Sequence, residues 1–125
     1  MENLYLNMEK VFMASSSNSI VNDTAEPKLI SKAHKAFLRK LYLCYLISQQ
    51  QQNLLSLHQI SKMPRRTIQD TLAAMLDIGV KITFIQDGER HNAGYYQLKD
   101  WGPINYQWVE ANIADICQQL DIDIP

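Results

Sequence analysis

The apolar residues change period at Gly79. Before it, Ile68, Leu72, Met75 and Leu76 recur at helical spacing. Behind it, Val80, Ile82 and Phe84 alternate with Lys81 and Thr83, a period of two. No single element satisfies both spacings, so a helix must stop at the glycine and a strand must start behind it. The polar stretch from Asp87 to Gly94, closed by glycines, reads as a loop, and Tyr95-Tyr96-Gln97-Leu98 reads as the returning strand of a hairpin.

Upstream of this switch the signals are helical. Ala33, Phe37, Leu41, Cys44 and Ser48 follow helical spacing from Ser31 to about Gln50. The second half, Leu41 to Ile47, is apolar nearly all round, which predicts burial by more than one neighbour or by a second subunit, with a short strand as the alternative. Gln49 to Gln52 read as the solvated end of this helix. Ser56 is the expected cap of a short helix carrying Leu57 and Ile60. Met63-Pro64 interrupts that helix, because a residue before proline disfavours the helical region. Pro64 suits the first position of the next helix, expected over about 64–78. Near the C-terminus, Tyr106, Val109, Ile113, Ile116 and Leu120 form a heptad-like stripe on a final acidic helix. This stripe is suited either to packing on the first helix or to pairing with its own copy.

Length and composition bound what the elements can build. A chain of 125 residues with 46% hydrophobic and 20% charged residues allows one domain with a tail, and has enough apolar residues for a core. The expected division is a flexible segment over 1–27, containing the Ser15 to Ser19 polar run, and a folded domain over 28–125. No apolar run is long enough to span a membrane, and no secretory leader is legible, so the expectation is a soluble cytoplasmic protein. Cys44 and Cys117 are far apart in apolar surroundings, as expected of two buried thiols.

The net charge of −1 conceals three blocks. Residues 1–27 hold one base against four acids, residues 28–99 eleven bases against four acids, and residues 100–125 five acids and no base. On charge alone the basic middle is equally an ordinary solvated surface with uneven charge or a surface that faces phosphate.

The expected fold class is mainly α with a small β-hairpin: three helices, a two-stranded wing and a C-terminal helix. That order, with Met63-Pro64-Arg65-Arg66-Thr67-Ile68 heading the third helix, resembles the winged helix-turn-helix domains of bacterial transcription regulators. Met63-Pro64-Arg65-Arg66-Thr67 with Gly94-Tyr95-Tyr96 and Asp100-Trp101-Gly102 is similar, more narrowly, to a small gammaproteobacterial winged-helix family. The resemblance spans about Ser31 to Leu120. It implies a recognition helix over about 64–78 in the major groove of double-stranded DNA and a wing over 80–98 on the backbone or minor groove. It also places His58 where a small residue is usual, and Lys62 where glycine is common at the turn. A tight or short second helix is therefore expected.

Arg65 and Arg66 are the leading candidate DNA contacts. Cations in the first turn of a helix oppose its macrodipole, and a phosphate there reverses that penalty. Thr67, Gln69, Asp70 and Ala73 lie off the apolar stripe. Gln69 has the donor and acceptor pair for adenine, Thr67 a hydroxyl for phosphate or a base edge, and Asp70 a carboxylate for cytosine or, as the simpler reading, for Arg66 four residues before it. Lys62, Lys32, Lys35 and Arg39 are candidate backbone contacts, and Arg90, His91 and Asn92 candidate wing contacts. Tyr95, Tyr96, Trp101, Tyr106 and Trp108 are read chiefly as packing between hairpin and last helix.

The expected function is sequence-specific DNA binding in transcriptional regulation, by a homodimer paired through the C-terminal and first long helices. The alternatives are a protein-interaction module on the same fold and a ligand-responsive regulator with an effector pocket near Trp101 and Trp108. His34, His58, His91 and the cysteines lack metal-ligand spacing, and no phosphate loop or nucleophile motif occurs. No cofactor, metal or catalysis is therefore expected.

Overall fold

The computed structural model describes residues 29–90 and 93–125. The expected flexible segment over 1–27 and the wing residues His91 and Asn92 lie outside them. The elements run α1 (Lys32–Gln49), α2 (Leu54–Ser61), α3 (Arg65–Ala73), a 3₁₀ turn (Met75–Ile78), β1 (Lys81–Gln86), β2 (Gly94–Asp100) and α4 (Tyr106–Leu120). This is the helical domain with a two-stranded wing that the sequence predicts.

Helix α1 is the hub. It is capped by Ser31, whose side chain accepts from the N–H of His34. It buries Leu38, Leu41, Tyr42, Leu43, Cys44, Leu46 and Ile47 against α4, α3 and β2. Several neighbours within one chain thus cover the run that is apolar all round, and it is helix, not strand. The register of the expected stripe is corrected: Ala33, Phe37 and Ser48 are exposed, and burial begins at Leu38.

Two further expectations change between α1 and α2. The glutamines do not simply end a helix in solvent: Gln52 is buried and forms a β-bridge with Tyr96. The cap of α2 is Asn53, not Ser56. Asn53 Oδ1 accepts from the N–H of Ser56 at 2.8 Å, while Ser56 Oγ accepts from the N–H of Asn53 at 2.9 Å, a reciprocal capping box.

The recognition segment is shorter than 64–78 as a single helix. Pro64 stands at the N-cap, one residue before the first helical position, and α3 gives way after Ala73 to the 3₁₀ turn. Ile68 and Met75 are buried on the expected stripe and Leu72 is half-buried, but Leu76 is 68% exposed because the tighter turn rotates it outward. Gly79, at φ 85°, stops the helical segment as the sequence predicts.

The wing is one antiparallel pair. Ile82 faces Leu98, Phe84 faces Tyr96 and Ile85 faces Tyr95, with a register shift between Lys81 and Ile82. Phe84 and Tyr96 meet edge to face, ring centroids 5.3 Å apart. Of the predicted alternating face only Val80 is fully buried; Ile82 is half-buried and Phe84 exposed. The stripe of α4 packs on α1 within the chain, with Val109, Ile116 and Cys117 buried. Among the described residues no helix is long and apolar enough to cross a membrane.

Candidate nucleic-acid interface

Helices α2 and α3 are joined by the three residues Lys62, Met63 and Pro64, and the turn is held by its own side chains. Ser61, buried at the end of α2, donates to the Leu57 carbonyl at 2.7 Å and accepts from the Met63 N–H at 3.0 Å. His58 Nδ1 lies 2.7 Å from the Met63 carbonyl oxygen. The position that usually takes a small residue therefore carries a ring that braces the turn. Lys62 adopts φ 65°, the left-handed conformation for which glycine is the usual choice. The eight-residue α2 is short, as expected, and packs on α3.

Beyond this turn α3 presents one continuous outer face. Arg65, Arg66, Gln69, Asp70 and Ala73 are all exposed and spaced three or four apart, clear of the buried Ile68. Arg66 Nε lies 3.2 Å from Asp70 Oδ1, with both side chains mostly in solvent, so Asp70 orients Arg66. Thr67 does not share this face. It is half-buried on the flank, and its carbonyl accepts from Thr71 Oγ1 at 2.7 Å.

The first turn of α3 is electrically open. Side chains of Ser31, Asn53 and Asn105 cap α1, α2 and α4, but no side chain caps α3. The N–H groups of Arg65, Arg66 and Thr67 precede the first intrahelical bond, which Ile68 donates to Pro64. Unused amides and two guanidinium groups at a helix N-terminus make a positive end open to an anion.

Arg90 is exposed on the wing turn, where its carbonyl accepts from the Ala93 N–H at 3.0 Å. The two tryptophans part company. Trp101 packs on Tyr106 at 5.2 Å between centroids, whereas Trp108 is 51% exposed on a groove of about 360 Å³ shared with Phe37, Leu41, Ile78 and Ile104. Sequence reasoning missed Ser61, whose bracing bonds leave no periodic signal, and Asp121, at φ 58° beside the turn.

A three-residue turn between two packed helices, an uncovered second helix and a hairpin behind it define a helix-turn-helix protein with a wing. The family model described as winged helix-turn helix matches residues 32–120, and the chain belongs to that family. The crystal structure of a DUF2131 family protein from Shewanella amazonensis SB2B is 51% identical, covers 75% of this chain and 91% of its own, and superposes with a TM-score of 0.70. No curated protein matches the sequence.

Proposed function

We propose that this chain is a sequence-specific double-stranded DNA-binding protein that regulates transcription in the cytoplasm, acting by binding alone, without catalysis or a cofactor. The observation that carries this reading is the outer face of α3, where Arg65, Arg66 and Gln69 stand exposed beside an uncapped helix N-terminus. Arg65 and Arg66 grip phosphate or guanine, Gln69 reads adenine, and Lys62 and the wing residues Arg90, His91 and Asn92 add contacts to backbone or minor groove. The narrower kinship with gammaproteobacterial winged-helix proteins belongs to the same reading, supported by the identity to the Shewanella amazonensis chain.

Fluorescence anisotropy of a labelled mixed-sequence duplex across a salt series tests it. Expected are binding that weakens steeply with salt, because phosphate contacts release counterions, and a loss of about tenfold or more in the Arg65→Ala/Arg66→Ala variant. Absence of binding at low salt overturns the reading and leaves a protein-interaction module in its place.

The same reading has two copies on paired half-sites, joined through α1 and α4. The stripe of α4 is occupied within the chain, so the pairing uses the outer surface that carries Phe37 and Trp108, 44% and 51% exposed. Sedimentation equilibrium is expected to give a dimer that Trp108→Glu converts to monomer; a monomeric native chain overturns the pairing.

A further inference from the structure

A second basic surface lies beside α3, on the first turns of α1, ahead of the point where the same side of the helix enters the core at Tyr42, Leu43 and Leu46. Lys32, Lys35 and Arg39 are spaced at i, i+3 and i+7, so they form one stripe, nearly opposite Phe37 and Leu41. Two of them, Lys35 and Arg39, line a cleft of about 260 Å³ whose other walls are Lys62 and Pro64 of the turn, Thr67 on the flank of α3, and Asp121 at the end of α4. Among the described residues, Lys35, Arg39 and Lys62 form no ion pair with their neighbours, the pair that does form being Arg66–Asp70.

We propose that this cleft seats a phosphate of the DNA backbone, so that α1 and the α2–α3 turn clamp one strand beside the segment read by α3. The inference rests on the DNA-binding reading and adds its anchoring site. Three cations from two separate elements converge where a phosphate approaching the N-terminus of α3 must pass, and Thr67 supplies a hydroxyl within the same cleft. Lys62 keeps a cation at a backbone position better suited to glycine, which the need for a charge at this turn explains. Asp121 is the opposing element: its carboxylate on the lip weakens the seat and sets its affinity.

The test uses the full chain and a labelled mixed-sequence duplex over a sodium chloride series. Lys35→Ala/Arg39→Ala is expected to fold, since both side chains reach solvent and alanine favours helix. It should lower the slope of log affinity against log salt by about 1, the loss of one phosphate contact, and the affinity by about tenfold near 0.1 M salt. Asp121→Asn is expected to raise affinity about threefold, because asparagine tolerates the same left-handed backbone. Glu110→Gln makes the same change in net charge eleven residues away on α4 and is expected to leave affinity unchanged. Wild-type binding with no change of slope in the double variant overturns the phosphate seat alone, as does an equal gain from Asp121→Asn and Glu110→Gln. Failure of the wild-type chain to bind any duplex instead overturns the DNA-binding reading itself.

Discussion

Tyr96 of the wing donates its backbone N–H to the carbonyl of Gln52 at 2.8 Å, tying β2 to the segment between α1 and α2. The Gln52 side chain in turn accepts from Ser56 Oγ at 2.7 Å, and Ser56 closes the cap of α2. One buried residue thus links the wing to the start of the helix-turn-helix, fixing how β2 sits against α2. The link predicts that Ser56→Ala, which removes both the reciprocal cap bond and the partner of Gln52, lowers stability by about 1 kcal/mol. Urea unfolding should show an earlier midpoint at an unchanged m-value; an unchanged midpoint removes the link from the account.

The two arginines at the head of α3 should separate binding from folding. They are exposed, and their charges oppose the helix macrodipole, so Arg65→Ala/Arg66→Ala is expected to change stability by less than about 0.5 kcal/mol while duplex affinity collapses. The exposed Arg66–Asp70 pair adds little to offset this. A variant that unfolds under the same urea as wild type but no longer binds is the expected pairing of results. Loss of fold would assign the arginines a structural role.

Lys62 carries the opposite signs in one substitution. Its φ of 65° costs an L-residue about 1–2 kcal/mol, part of which glycine offsets through its greater freedom in the unfolded chain. Lys62→Gly is therefore expected to keep or raise stability, by up to about 1 kcal/mol, and to weaken duplex binding about tenfold. Thermal unfolding and anisotropy on the same preparation check both; a destabilised variant would show that the lysine side chain holds the turn.

The sequence made the elements legible where burial follows one period. Ile68 and Met75, Gly79 with the strand behind it, and the Val109 to Ile116 stripe all stand as the spacing predicts. It was less legible where a residue faces two neighbours or none. Phe37 and Leu76 fit an apolar stripe yet stand exposed, because Phe37 lines an open groove beside Trp108 and the 3₁₀ turn rotates Leu76 outward. Gln52 reads as polar surface, but its burial comes from a strand more than forty residues later, which no local pattern encodes. Arg65 and Arg66 were legible as candidates by their charge at a helix start and Gln69 by exclusion from the apolar stripe, and all three stand exposed. The convergence of Lys35, Arg39 and Asp121 was not legible, since it depends on how the first half of α1 and the end of α4 meet beside the turn.

The Asp100-Trp101-Gly102 motif proves architectural. Asp100 Oδ1 accepts from the Gly102 N–H at 2.8 Å, and the Trp101 carbonyl accepts from the Ile104 N–H at 3.1 Å. Gly102, at φ 60°, presses against the backbone of Gly79, where a Cβ would collide with the Gly79 carbonyl. The end of the wing and the stop after α3 are thus interlocked. Gly102→Ala is expected to cost about 2 kcal/mol or more and to lower the urea midpoint markedly, through backbone strain together with the clash.

The buried thiols set the alkaline limit of stability. Cys44, fully buried with its Sγ 3.8 Å from Met75 Sδ, is pushed by desolvation up to about 12 from its ordinary 9.0. Desolvation also raises Cys117. Tyr42 rises to about 12, by desolvation first and then by the neighbouring Cys117 and Asp123, and its hydroxyl has no hydrogen-bond partner among the described residues. Each group is neutral when protonated and holds its proton more tightly folded than unfolded. The stability linked to it is therefore complete below the unfolded value and is lost as pH rises toward the folded one. The expected window of loss opens near pH 9 with the thiols and extends to about 12. Urea midpoints should be flat in this respect up to pH 9 and fall steadily above it. In the native protein at pH 8 both cysteines should resist a thiol reagent until denaturant is added, because reaction needs a thiolate that the core disfavours. Rapid labelling of the native chain at pH 8 would contradict the packing of α1 on the 3₁₀ turn and α4.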